Sequence, residues 1–299
     1  MEWMKAVQLL RSGRRPGVLV TVMSVRGHAP REAGAKMVVA SNNVWSTVGG
    51  GNLEALAVER SRELIASGSS SPEVLEVALS DKAPYQHGVQ CCGGEVKLLL
   101  EPLPVVPSVA IFGIGHVGLE LARILARHDI ELHLVDSRAD QLTDERLVVL
   151  DDAVAQVHVH NVPVLPELVV GELPPGTHAL VMTHDHAEDA ALCDAAIRNE
   201  QLATIGLIGS SAKWTRFRRK LAEDGNSEAA IDRIITPIGL PDLPGKEPAV
   251  IAVSVAAWLL QQFTTERHTA APVQPAERHT ASARSAERRP APAQREAKA

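Results

Sequence analysis

Cys91 and Cys92 are neighbours within Gln90-Cys91-Cys92-Gly93-Gly94. Adjacent thiols offer two kinds of chemistry: nucleophilic attack as thiolate, and ligation of a soft metal centre. Gly93 and Gly94 carry no side chain, so a large ligand can approach the backbone closely there. His87, four residues upstream, is placed to lower a thiol pKa. There is no second cysteine pair, which argues against a zinc site built from cysteines. The third cysteine, Cys193, falls in an apparent helix and reads as buried filler.

A second constellation is Gly113-Ile114-Gly115-His116-Val117-Gly118, with Asp136 following Gly118 at the end of the next apolar run. The first glycine allows a tight turn, the second lets a phosphate reach the backbone, and the third permits close helix–strand packing. The helix that follows presents free N–H groups and the positive end of its dipole. Asp136 can accept ribose hydroxyls, and Arg138 nearby suits a phosphorylated ribose.

Three further segments carry candidate ligand contacts. Gly49-Gly50-Gly51-Asn52 opens a helix and offers backbone amides to an anion such as phosphate. The polar loop Arg26 to Glu32 holds Arg26 and Arg31, both able to grip phosphate or carboxylate. Thr183-His184-Asp185-His186 follows a strand, at the edge where open α/β sheets bind ligands. It reads as crevice lining or a helix N-cap sooner than as a metal site.

These residues need a scaffold of two kinds. Residues 2–13 have the spacing of a short amphipathic helix, and 17–25 the β-branched content of a strand. Residues 36–40 and 44–48 suit a hairpin turning at Ser41-Asn42-Asn43. A helix over 52–66 and strands over 74–79 and 96–100 complete a small α+β unit. Pro102, Pro104 and Pro107 mark a linker. Beyond it, strands over 109–112, 131–135, 178–182 and 204–208 alternate with helices, the first over 116–128. That alternation predicts a Rossmann-like, doubly wound parallel sheet closed by a helix over 248–260. The expected division is therefore 1–103, then 108–263, then a disordered tail over 264–299 in which Glu-Arg-His-Thr-Ala recurs.

Composition narrows the function. Thirty basic against 36 acidic residues give a net charge of −6, which argues against a general nucleic-acid or anionic-membrane binder. Eight aromatic residues in 299 mean that the cores are aliphatic. Three cysteines form no disulfide framework and fit a reducing compartment. No secretory signal or spanning stretch is visible, so a cytoplasmic protein is expected. Flat aliphatic helices suggest a homodimer.

Eight segments occur in an order that resembles the xanthine dehydrogenase accessory protein family of the XdhC/CoxI type. They are RGHAPREAGAKM (26–37), VGGGNLE (48–54), QCCGGEVKLLLEPL (90–103), VAIFGIGHVG (109–118), VDSR (135–138), MTHDHAED (182–189), IGLIGSSAKWTRF (205–217) and TPIGL (236–240). The resemblance covers roughly residues 10–262 and implies a chaperone for the molybdenum cofactor, in its molybdopterin form. Such a protein shields the cofactor, supports its sulfuration with a cysteine desulfurase, and delivers it to the molybdenum-binding subunit of xanthine dehydrogenase. Other cofactor biosynthesis proteins are implied as partners. Cys92 or Cys91 would contact the molybdenum, within a set that includes Gln90, Gly93, Gly94, Gly49, Gly50, Gly51 and Arg31. Gly113, Gly115, Gly118, Asp136 and His184 would serve the Rossmann-like half, which leaves room for a nucleotide or NAD(P). Two other readings stand beside it: an NAD(P)-dependent oxidoreductase using the glycine fingerprint with His116 or His184, and an adaptor that holds no cofactor.

Overall fold

The computed structural model describes residues 1–79 and 94–269, with side chains through 264. The N-terminal unit comprises α1 (Glu2–Ser12), β1 (Gly17–Arg26), β2 (Lys36–Val39), β3 (Val44–Ser46), α2 (Gly51–Ala66), β4 (Glu73–Leu79) and β5 (Gly94–Leu103). Its strands form one antiparallel sheet in the order β3-β2-β1-β5-β4. Val18, Val20 and Val22 alternate along β1 and bury one face of it. They meet Val96, Leu98 and Leu100 of β5 beneath Leu53, Ala57 and Leu64 of α2. On the other face, Ala6 and Leu10 of α1 cover Val38 and Ala40. Both faces are therefore apolar, which explains strands read as β-branched runs.

The second unit comprises β6 (Ser108–Phe112), α3 (His116–Leu125), β7 (Glu131–Asp136), α4 (Asp144–Leu147), β8 (Gln156–Asn161), β9 (Thr177–Val181), α5 (His186–Arg198), β10 (Thr204–Leu207), α6 (Ser211–Glu223), α7 (Glu228–Ile231), β11 (Ile234–Ile235) and α8 (Pro248–Thr269). The sheet order is β11-β10-β9-β6-β7-β8, and every pair is parallel. The winding reverses at β6, between β9 and β7, so the crevice beyond their C-terminal ends is the expected ligand position. Every residue of β6 and β9 is buried. Helices α3 and α8 cover Ile111, Leu132 and Leu134, while α5 and α6 cover Phe112, Val135 and Val181.

The closing helix does not stop at Leu260 but runs to Thr269, so the expected boundary after 263 falls inside it. Phe263 is buried and meets the His178 ring edge-on at 5.0 Å, which anchors the extra turns. Residues 270–299, most of the expected tail, lie outside the described residues. Among the described residues, no helix is long and apolar enough to cross a membrane.

Among the described residues, the two units meet through the proline-rich linker and two ion pairs. Arg11 binds Asp129, and Arg14 Nη1 lies 2.8 Å from Glu131 Oε2. Both acidic partners sit at the start of β7, the edge of the parallel sheet opposite the glycine turn. At the outer edge of that sheet, His133 stacks on His158 and His160, with ring centroids 4.7 and 5.4 Å apart. Burial, then the neighbouring His158, His160 and Arg14, push the His133 pKa down to about 4.

Candidate functional site

Three of the singled-out segments converge at the far end of the N-terminal sheet, at the opposite end of β1 from the linker. Gly49, Gly50 and Gly51 all have positive φ (133, 72 and 60°), a run that an L side chain would strain. A Cβ at Gly49 would stand 2.5 Å from Pro30 Cγ, so the triplet lies directly against the Arg26–Glu32 loop. At Gly94 a Cβ would run into the carbonyls of His28 and Arg26, so the start of β5 lies against the same loop. Arg26 pairs with Glu95 at 3.7 Å and keeps its side chain 80% exposed; Arg31 is exposed as well.

One carboxylate organises the glycine turn. Glu54 Oε2 accepts the Gly50 N–H at 3.1 Å and the Thr47 hydroxyl, and Thr47 Oγ1 accepts the Gly49 N–H at 3.0 Å. The expectation that all three glycine amides face a ligand is corrected here: those of Gly49 and Gly50 are engaged internally. A Cβ at Gly50 would still meet open space, so this side of the turn is accessible.

Leu79, the last residue of β4, pairs with Gly94, the first of β5. The segment 80–93 therefore leaves and returns at adjacent strand ends, beside the Arg26–Glu32 loop. Gln90, Cys91, Cys92 and Gly93 lie outside the described residues.

On the parallel sheet, Gly113 has φ +102, and a Cβ there would stand 2.5 Å from Met182 O. Only glycine lets the turn after β6 pass so close to the end of β9. A Cβ at Gly118 would collide with Gly113 O, while one at Gly115 meets open space. Gly115 caps α3 without any side-chain bond, so that helix's first amides face outward. Asp136 ends β7 as expected, yet its carboxylate is only 2% exposed. It accepts from Ile114 N (2.6 Å), Arg138 N (2.9 Å), Arg138 Nε (3.0 Å) and Arg138 Nη2 (3.0 Å). Burial raises its pKa, but the Arg138 and backbone bonds win and hold it below the usual carboxylate value.

The adjoining crevice contains a buried ion pair absent from the sequence-based expectations. Lys213 Nζ donates to Asp189 Oδ2 at 2.5 Å and to Ile208 O at 2.9 Å. Asp189 Oδ1 accepts from Thr183 N (3.1 Å) and Thr183 Oγ1 (2.8 Å). The pair ties the ends of β9 and β10 to α5 and α6. His184 is exposed beside this network, and Asp185 is the α5 N-cap, accepting from Ala187 N at 2.6 Å. Glu188 has a raised pKa because of burial, partly relieved by the Ser137 hydroxyl. A cavity of about 620 Å³ opens past β10, lined among others by Ser210, Gly239, Lys246 and Ser254. The prolines and glycines of 237–245 are the one sequence signal that could have pointed to it.

Comparison with known proteins fits both halves. Residues 10–77 match the XdhC and CoxI family, and residues 109–259 match the XdhC Rossmann domain. Escherichia coli (strain K12) contributes a relative named molybdenum cofactor insertion chaperone PaoD, 36% identical over 84% of this chain and 85% of its own length. The chain belongs to the XdhC and CoxI family. A second E. coli (strain K12) relative, the uncharacterized protein YqeB, is 25% identical over 82% of this chain. The chain spans 43% of YqeB's length. A crystal structure described as a xanthine dehydrogenase from Bacillus halodurans superposes with a TM-score of 0.45 at 18% identity, covering 91% of this chain and 98% of that one. The match boundaries leave residues 78–108 between the two XdhC segments, and the cysteine pair falls there.

Proposed function

We propose that this XdhC-type chain is an accessory chaperone that binds the molybdenum cofactor, with Cys91 or Cys92 contacting the molybdenum. The observation that carries the reading is the convergence of the Arg26–Glu32 loop, the Gly49–Gly51 turn and Gly94 where the cysteine-bearing segment leaves and rejoins the sheet. The 36% identical relative PaoD, named a molybdenum cofactor insertion chaperone, supports it.

The donors suit an anionic pterin phosphate attached to a soft metal. Arg26 and Arg31 supply charge, and the first amides of α2 supply N–H groups at the positive end of a helix dipole. Glu54 holds the turn open. The thiol pair supplies sulfur for a soft centre. The bound cofactor would bring the molybdenum centre whose terminal oxo group is exchanged for sulfido. In the fuller form of the reading, a cysteine desulfurase supplies that sulfur. The cofactor then passes to the molybdenum-binding subunit of xanthine dehydrogenase, from a homodimer in the cytoplasm.

A second reading, an NAD(P)-dependent oxidoreductase, is favoured by one observation: the open Gly115 at an uncapped helix start. Against it stands Asp136, whose carboxylate already accepts from Ile114 and Arg138.

The deciding experiment is anaerobic binding of purified cofactor to wild type, Cys91→Ala and Cys92→Ala, with NADH and NADPH titrated in parallel. Stoichiometric cofactor binding that one substitution abolishes is the expected result. Tight nicotinamide binding without cofactor retention overturns the chaperone. Unchanged cofactor delivery by the double variant would leave only an adaptor role.

A further inference from the structure

Away from both candidate sites, Glu131 and His133 of β7 and His158 and His160 of β8 share one face at the outer edge of the parallel sheet. The register pairs His133 with His158 and Val135 with His160, so the two strands bring three imidazoles together. Ligand atoms of Glu131, His133 and His158 all lie within 4.8 Å of one another. His133 is 92% buried, and its Nε2 makes no hydrogen bond. Its Nδ1 lies 3.1 Å from His160 Nε2. With the Nδ1 proton donated to His160, Nε2 is a buried lone pair without a partner, an arrangement costly to leave unmet.

We propose that Glu131, His133 and His158 form a binding site for a divalent transition-metal ion of the zinc class, with His160 orienting His133 from behind. Two imidazoles and a carboxylate suit a borderline-soft ion and leave a fourth position for water or an anion. The contact of His133 Nδ1 with His160 is the outer-shell bond that metal-bound histidines use to fix tautomer and ring orientation. The His133 and His158 planes now lie 17° apart, so chelation requires the His158 ring to turn about its Cβ–Cγ bond. The Arg14 guanidinium borders the site. Arg14 Nη1 lies 2.8 Å from Glu131 Oε2 but off the line of a hydrogen bond, so it neutralises the carboxylate without saturating it. Because Arg14 belongs to the N-terminal unit, the site also touches the junction between the halves.

The test is calorimetric titration of Zn2+ into chelator-stripped full-length wild type, His133→Ala, His158→Ala and the Cys91→Ser/Cys92→Ser double variant. Expected is one equivalent that survives loss of both cysteines and weakens by at least about ten-fold in each histidine variant. In Co2+-loaded protein this equivalent should show d–d bands without a thiolate charge-transfer band. His158 is only half-buried at an edge strand, so its variant decides the matter if His133→Ala fails to fold. Three results overturn the proposal: no equivalent in wild type, an equivalent lost with the cysteines but kept without His158, or one that none of these substitutions weakens.

Discussion

The two halves treat their polar groups in opposite ways. At the crevice of the parallel sheet, charges are spent on the protein itself: Asp136 on Ile114 and Arg138, Asp189 on Lys213 and Thr183, Glu188 on Ser137. At the far end of the antiparallel sheet, Glu54 and Thr47 organise the glycine turn, and Arg26, beside Glu95, and Arg31 stay exposed. A self-satisfied edge is rigid but has little left with which to hold a ligand, whereas an open one is ready for an anionic cargo. The difference favours the proposed binding at the N-terminal half, with the Rossmann-like crevice as its mechanical support.

The strongest way to break that comparison is Lys213→Ala. It strands the fully buried Asp189 carboxylate, and breaking a buried pair costs about 3–5 kcal/mol. Urea unfolding should show this loss, and a Lys213→Met/Asp189→Leu double variant should recover most of it. A cost near zero would mean that the pair is not structural. Next comes acid. Burial pushes the His178 pKa down to about 4 from 6.5. The unfolded chain therefore binds a proton that the folded one refuses between those values, and stability falls as pH drops through that window by roughly 3 kcal/mol. His178→Gln should flatten this part of the pH–stability curve, measured by urea melts at pH 7 and pH 5. Gly113→Ala follows, at about 1–3 kcal/mol, because its φ of +102 and the nearby Met182 carbonyl both oppose a side chain. Cofactor retention should survive in the folded fraction if binding belongs to the other half. Smallest in stability is Glu54→Ala, at about 1–2 kcal/mol for two lost acceptor contacts. It should nonetheless weaken cofactor binding more than Gly113→Ala does, and the reverse ranking would invert the comparison.

Much of the architecture was legible because its signals are local. The glycine fingerprint sits between an apolar run and a helical stripe, and β1 announces itself through Val18, Val20 and Val22. The pieces that escaped depend on tertiary partners. Strand β8, Gln156–Asn161, alternates valine with histidine and reads as polar until β7 is beside it. The two-residue β11 is too short for any periodicity. Of the site, the contact of Gly49 with Pro30 and of Gly94 with the carbonyls of Arg26 and His28 joins motifs that the sequence showed only as separate. The Asp189–Lys213 pair links two helices and leaves no spacing to recognise. A histidine pair at 158 and 160 opposite Glu131-x-His133 was the available hint for the edge cluster, and it needed the parallel register to become visible.

The pairing of Leu79 with Gly94 has a thermodynamic meaning for evolution. The ladder between β4 and β5 itself brings the residues that flank the 80–93 segment together. Doubling the length of a flexible connection costs only about 0.6 kcal/mol. Insertions and deletions between Leu79 and Gly94 should therefore cost the flanking sheet little, a freedom that the stretch with the two cysteines shares with no buried strand of the fold.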